Sequence, residues 1–171
     1  MKKKIKELVI NFFKIIYPKF CPTSESIKQL LLLSFIQKIV GINRKIPWPV
    51  HFTSQIKAHN KLVFANQSPG ISLSCYIDGR NGIIIEKDVR IGPRVSIISQ
   101  NHNKSDFAKY DYCKPIIIKK DCLLSANCVI LPGVELGEHT IVAAGAIVTK
   151  SFKKGYQIIG GNPAKVIKQI T

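Results

Sequence analysis

The stretch IIIKKDCLLSANCVILPGVELGEHTIVAAGAIV, residues 116–148, puts an aliphatic residue at every sixth position: Ile118, Leu124, Ile130, Leu136, Val142 and Val148. Upstream, the same step gives Ile85, Ile91 and Ile97. Four residues after these positions stand Val89, Val95, Cys122, Cys128, Val134, Thr140, Ala146 and Phe152, mostly small or β-branched. A period of six matches neither a helix of 3.6 residues per turn nor alternation along extended strands. It matches a solenoid of short strands joined by tight bends, three hexads to a triangular coil, with each coil stacking its aliphatic position on the next. Cys122 and Cys128, six apart, therefore fall on core positions and receive no chemical role.

The period is interrupted once at length, within VSIISQNHNKSDFAKYDYCKPIIIKKD, residues 95–121. If Ile97 begins a hexad, the next begins at residue 103, yet the repeat resumes at Ile118, which leaves fifteen residues outside the coil. This spacing predicts a loop extruded near residues 102–117, with His102 at the mouth of a groove instead of in the core. Between residues 56 and 84 the register slips by about two residues near DGRNG, residues 78–82.

The chain has 171 residues, the size of one ordinary domain, and is 46% hydrophobic, which predicts a packed globular core. Its formal charge of +16 points to an anionic partner: nucleic acid, a membrane surface, a phosphate-bearing cofactor or an acidic polymer. Cysteines 21, 75, 113, 122 and 128 form no CxxC pair and read as reduced thiols of a cytoplasmic protein. Residues 3–17 carry Ile5, Leu8, Val9, Phe12, Phe13 and Ile16 at helical spacing, with lysines elsewhere. Lysines and Glu7 interrupt this apolar run and no small-residue cleavage site follows, so it does not read as an export signal. Two readings of the helix stand: packing on its own subunit or a neighbour, or lying on an anionic membrane surface. A second helix is expected from a cap at Ser24 to about Val40, ended by Gly41. It is too short for the roughly 20 apolar residues of a membrane span. The prolines of KIPWPVHFTS then end the helical region. The expected organisation is a basic helical segment over 1–44, a β-helix over 45–160 and a C-terminal segment over 161–171.

The segments IPWPVHFTSQI (46–56), YIDGRNGIIIEKDVRIGPRVSIISQNH (76–102), VILPGVELGEHTIVAAGAIVTKSF (129–152) and GNPAKVIKQI (161–170) resemble the hexapeptide-repeat acyltransferases. Within that family they look most like bacterial polysaccharide O-acetyltransferases. The resemblance covers roughly residues 45–170. It implies a mainly β fold, a left-handed parallel β-helix, assembled as a homotrimer with active sites between subunits; the N-terminal α-helices and a short C-terminal helix over 161–171 are expected from the residues themselves. In the related serine acetyltransferases the essential histidine lies in a segment whose counterpart here, DGRNG, has Gly79 at that place. This favours the sugar-modifying branch.

The resemblance implies transfer of acetyl from acetyl-CoA to a hydroxyl of a polysaccharide or oligosaccharide, or its lipid-linked precursor, with no acyl-enzyme. A small molecule such as a free sugar, an amine or an antibiotic is the alternative acceptor. His102 is the implied catalytic base. An imidazole suits the task because its ordinary pKa near 6.5 leaves a neutral base at neutral pH, and such catalysis contributes typically 10²–10⁴-fold. Asp106 and Asp111 are the nearest carboxylates in sequence that could orient it. The family's coenzyme contacts map onto Ala126, Ala144, Thr149, Lys150, Lys165 and Lys168. Asn162 and Pro163 are expected to start the C-terminal helix. Leu123 stands where many relatives have Trp. His51, His59 and His139 lack the spacing of a three-histidine zinc site, so no metal is expected. The basic residues lack the interleaved aromatics of a nucleic-acid surface, and no nucleic-acid partner is expected. The basic N-terminal helix suggests peripheral contact with an anionic membrane.

Overall fold

A computed structural model describes residues 2–19 and 27–170. From Gln55 onward the chain winds through three parallel faces. The first face stacks Gln55–Lys57, Tyr76–Asp78, Ser96–Ile98, Val129–Ile130 and Ile147–Val148. The second stacks Leu62–Phe64, Ile83–Ile85, Ile116–Ile118 and Glu135–Leu136. The third stacks Arg90–Ile91, Leu123–Leu124, Thr140–Val142 and Gln157–Gly161. This is the mainly β, left-handed parallel β-helix that the hexads and the resemblance implied.

The pairing register reproduces the sequence arithmetic. Ile118 pairs with Leu136, Leu124 with Val142 and Ile130 with Val148, each partner three hexads on. Across the interruption the partners are 33 residues apart: Ile85 with Ile118, Ile91 with Leu124, and Ile97 with Ile130. The fifteen extra residues are thus looped out, leaving the coil in phase. Of the nine hexad positions, all but Ile91 are fully buried, and Ile91 packs against the core from its edge. Five successive bends each use one residue of positive φ at the same six-residue step: Asp121 (57°), Asn127 (60°), Gly133 (73°), His139 (52°) and Gly145 (70°). Glycine, asparagine and aspartate visit this conformation most cheaply, which is why the polar letters of the repeat fall there. Gly137 meets a tighter demand, because a Cβ there would lie 2.3 Å from the Lys153 carbonyl oxygen.

The C-terminal helix is not formed. Ala164–Gln169 is a strand running antiparallel to Gln157–Gly161, with Gly160 opposite Lys165 and Ile158 opposite Lys168. Gly161, at φ 97°, turns the chain just before Asn162 and Pro163, which belong to the hairpin turn and cap no helix. The β-branched Val166 and Ile167 suit the resulting strand, which covers the edge that Gln157–Gly161 would otherwise expose.

At the other end, α1 (Lys2–Ile16) and α2 (Ile27–Phe35) pack through Phe13, Tyr17 and Leu30. The expected Ser24 cap lies outside the described residues. A π-helical turn, Ile36–Val40, follows α2 and ends at Gly41, whose N–H donates to the Ile36 carbonyl. The apolar face of α1 is rotated from expectation. Phe13 and Tyr17 are buried and Val9, Ile10 and Ile16 pack beside them, whereas Leu8 and Phe12 are exposed. The buried Gln37 amide joins the helices to the coil: it donates to the carbonyls of Ile46 (3.1 Å) and Trp48 (2.9 Å) and accepts from Val50 N–H (3.1 Å). Among the described residues, no helix is long and apolar enough to cross a membrane.

Candidate active site

The looped-out residues form a two-stranded antiparallel hairpin at the edge between the first and second faces, with Asn101 opposite Asp111 and His102 opposite Tyr110. Its turn is organised by one side chain. Asn103 Nδ2 donates to Asp111 Oδ1 at 2.8 Å, and Asn103 Oδ1 accepts the N–H groups of Ser105 (2.9 Å) and Asp106 (3.0 Å). The hairpin's base is tied to DGRNG, where Asn81 Nδ2 donates to the Ser99 carbonyl (2.9 Å) and to the Asp111 carbonyl (3.3 Å). The two irregularities of the repeat are therefore one feature: the two-residue slip forms the seat and the fifteen-residue insertion sits on it.

His102 is exposed, and its Nδ1 lies 2.6 Å from the Phe107 carbonyl oxygen. A carbonyl only accepts, so Nδ1 carries the proton and the neutral ring keeps its lone pair on Nε2. The orienting partner is this backbone oxygen and not a carboxylate. Asp106 is occupied by Ala108 N–H and by Lys109 Nζ at 3.1 Å, and Asp111 by Asn103. Tyr110 packs on the imidazole with ring centroids 4.5 Å apart. Beneath the hairpin, Arg80 binds the buried Asp78 carboxylate through Nε (3.0 Å to both oxygens) and Nη2 (2.6 Å). Burial works to raise the Asp78 carboxyl, but the Arg80 hydrogen bonds and charge outweigh it and hold the group below the usual carboxylate range. The same hydrogen bond pushes the Arg80 guanidinium further up.

The sequence singled out His102 but not Phe107, Tyr110, Asp78, Arg80 or Asn81. A backbone carbonyl leaves no mark in composition. The available signal was the D-x-R of DGRNG at the repeat's other irregularity, one coil before the histidine.

The residues matched to a coenzyme occupy two edges. Ala126 and Ala144 occupy equivalent bends of adjacent coils between the third and first faces, where Gly145 N–H donates to the Ala126 carbonyl at 3.0 Å. Lys165 and Lys168 are exposed and pair with Gly160 and Ile158, two residues apart on one strand, so both point from the same side of the third face. A Cβ built on Gly160 would lie 3.0 Å from Ala143 Cβ, so the strand that these lysines pair with lies close to the alanine edge. Thr149 and Lys150 are exposed at the next edge, the one bearing the His102 hairpin, with Lys150 Nζ 5.9 Å from the Phe152 ring centroid. One subunit thus groups Ala126, Ala144, Lys165 and Lys168, and separately His102, Thr149 and Lys150, with the first face between the two groups.

The remaining histidines lie elsewhere. His51 Nδ1 is 2.7 Å from Thr53 Oγ1, His59 packs edge-on to Trp48, and His139 Nδ1 is 2.5 Å from Asp121 Oδ2 at a coil bend, a hydrogen-bonding distance. No metal-binding cluster of His, Cys, Asp or Glu occurs among the described residues. Burial pushes the Cys122 thiol up to about 11 and the Cys128 thiol up to about 12, so both stay protonated at neutral pH and neither is a ready nucleophile. Gly79 is closely packed: a Cβ there would lie 2.2 Å from Leu62 Cδ1 and 3.2 Å from the Ala58 carbonyl oxygen, so a side chain at that place requires Leu62 to move.

Residues 115–150 match the family model described as bacterial transferase hexapeptide (six repeats). A curated relative, 2,3,4,5-tetrahydropyridine-2,6-dicarboxylate N-acetyltransferase of Staphylococcus aureus (strain JH9), is 56% identical over 55 residues. That match covers 32% of this chain and 23% of the relative, so the chain spans under a quarter of the curated relatives' length. Among solved structures, a maltose O-acetyltransferase from Clostridium difficile 630 superposes with TM-score 0.52 and 24% identity, over 70% of this chain and 60% of that one. An N-acyltransferase from Bacillus cereus in complex with dTDP and 3-hydroxybutyryl-CoA superposes with TM-score 0.60 and 18% identity, over 70% and 78%. At these identities the structural likeness is one of fold.

Proposed function

We propose, from the match of residues 115–150 to the bacterial transferase hexapeptide family model, that this chain is an O-acetyltransferase. It moves acetyl from acetyl-CoA to a hydroxyl of a bacterial surface polysaccharide or its lipid-linked precursor. The observation that carries the reading is His102, lifted out of the coil on its own hairpin with Nδ1 bound to the Phe107 carbonyl, which leaves Nε2 as a base. In the reaction Nε2 takes the acceptor's hydroxyl proton as that oxygen attacks the thioester carbonyl. The new C–O bond forms, the C–S bond breaks, and the proton passes to the departing coenzyme thiolate. Holding thioester and hydroxyl side by side supplies much of the remaining acceleration.

The coenzyme's phosphates meet Lys165 and Lys168, with Lys150 and Thr149 on the second edge and the small Ala126 and Ala144 letting the pantetheine arm lie against the coil. Since one subunit holds these groups on separate edges, the complete site forms between subunits of a homotrimer. Phe107 and Tyr112, both exposed on the hairpin segment, offer apolar ring faces for a sugar acceptor. A second reading, transfer to a small molecule or an amine, is favoured by the 55-residue likeness to a small-molecule N-acetyltransferase. Thiol release from acetyl-CoA over a panel of oligosaccharides, free sugars and amines tests both. Oligosaccharide-dependent release supports the first reading, amine-dependent release the second, and no turnover with any acceptor contradicts both.

The enzyme works at the cytoplasmic side of an anionic membrane, where its N-terminal segment makes peripheral contact. Residues 1–45 hold ten Lys or Arg against two Glu, and α1 turns Leu8, Phe12 and Ile15 to solvent. Sedimentation with phosphatidylglycerol vesicles but not with phosphatidylcholine vesicles, weakened by salt, is the expected outcome. Equal or absent binding to both contradicts it.

A further inference from the structure

Asp78 is wholly buried on the first face, and its three contacts fix Arg80 in place. The Arg80 guanidinium carbon then lies 4.8 Å from the centroid of the Tyr110 ring, within the range of a cation–π contact. Tyr110 in turn packs on His102 at 4.5 Å and pairs with it across the hairpin. A line of contacts therefore runs from a rigid rung of the coil to the imidazole. Without it, the exposed ring is held by one hydrogen bond to a hairpin carbonyl. From this geometry we propose that Arg80 is a positioning residue. Locked by Asp78, it clamps Tyr110 by its ring face, and Tyr110 holds the His102 ring in the orientation that keeps the proton on Nδ1 and the lone pair on Nε2.

This deepens the reading of His102 as the base, and its test has a readout that does not depend on turnover. A free neutral imidazole carries its proton mainly on Nε2, so a ring released from the Phe107 carbonyl changes tautomer. The test is the long-range ¹H–¹⁵N spectrum of ¹⁵N-histidine-labelled protein in alkaline buffer, with kcat and KM for acetyl-CoA measured in parallel. Three variants are used: Arg80→Met, Tyr110→Leu and Tyr110→Phe.

Arg80→Met and Tyr110→Leu are each expected to lower the ratio of Nδ1–H to Nε2–H tautomer of His102 by about two- to fivefold, the worth of an exposed cation–π contact, with kcat falling alongside by no more than that factor. KM for acetyl-CoA stays within twofold. Tyr110→Phe, which keeps the ring face, restores both. Arg80→Met strips the guanidinium from the buried Asp78 carboxylate, leaving it the backbone N–H of residue 80 and the Tyr76 hydroxyl, and can misfold the coil; Tyr110→Leu alters only the hairpin and decides the matter in that case. An unchanged His102 tautomer in a folded Tyr110→Leu protein overturns the proposal, as does a Tyr110→Phe variant as impaired as Tyr110→Leu. If the tautomer shifts as expected but the wild type turns over no acceptor, the clamp stands and the acetyltransferase reading fails.

Discussion

Replacing Asn103 by alanine separates the hairpin from the coil. The Asn103 amide makes three hydrogen bonds, to Asp111 Oδ1 at 2.8 Å and from the Ser105 and Asp106 N–H groups at 2.9 and 3.0 Å. Each such bond contributes about 0.5–1.5 kcal/mol net. The groups left behind are partly exposed and regain water, so the three together are worth about 2 kcal/mol. That loss falls on closure of the turn that carries the Phe107 carbonyl. With tenfold in rate for each 1.36 kcal/mol or so, kcat should fall by up to about thirtyfold. The rungs beside it are untouched, because Ile97 and Ile118 pair with Ile130 and Ile85 and not with the hairpin. The assay is thiol release alongside thermal unfolding followed by circular dichroism. An Asn103→Ala protein with wild-type kcat refutes the role of the turn. One whose unfolding midpoint drops by more than about 5 °C refutes the independence of hairpin and coil.

Three further outcomes are expected. Gly137→Ala drives a methyl to 2.3 Å from the Lys153 oxygen and 2.4 Å from Gly155 N, so it should cost about 3 kcal/mol in denaturant unfolding; a neutral substitution means the coils do not approach that closely. Cys122 and Cys128, with thiols near 11 and 12 against an ordinary value of about 8.5, should resist iodoacetamide at neutral pH in the folded protein and react once unfolded, as read by peptide mass; rapid labelling in the native state contradicts their core placement. Asp78 has its carboxyl held down by Arg80, so the pair's stabilisation is complete above the ordinary carboxylate value of about 4 and is lost as pH falls through the lower folded-state value. The gap in unfolding midpoint between wild type and Asp78→Asn should hold from pH 7 to about 4 and close below that; a gap that widens on acidification reverses the assignment.

The coil was legible because one letter recurs at one step. Ile118, Leu124 and Ile130 announce three faces, and the fifteen-residue gap after Ile97 announces the hairpin. The C-terminal helix was misread because a Gly-Asn-Pro segment before Ala164 suits a helix start as well as a turn. Only the open edge of Gln157–Gly161 decides for a strand. The rotated face of α1 has a similar cause: Leu8, Phe12 and Phe13 are equally apolar, and packing against Leu30 selects Phe13. In the site, His102 was visible as a lone imidazole at a period break. The groups that set its orientation are a backbone oxygen and residues some 20 positions upstream, brought close only by the winding of the coil.

The most direct measurement is acetyl-CoA thiol release by wild type and His102→Ala side by side, with oligomeric state checked by light scattering. Glycan-dependent release that falls by at least about a hundredfold in the variant, within the usual worth of a general base, with the assembly intact, is the predicted result. A His102→Ala protein that turns over like wild type contradicts the assignment of the base and with it the reading of the hairpin as catalytic.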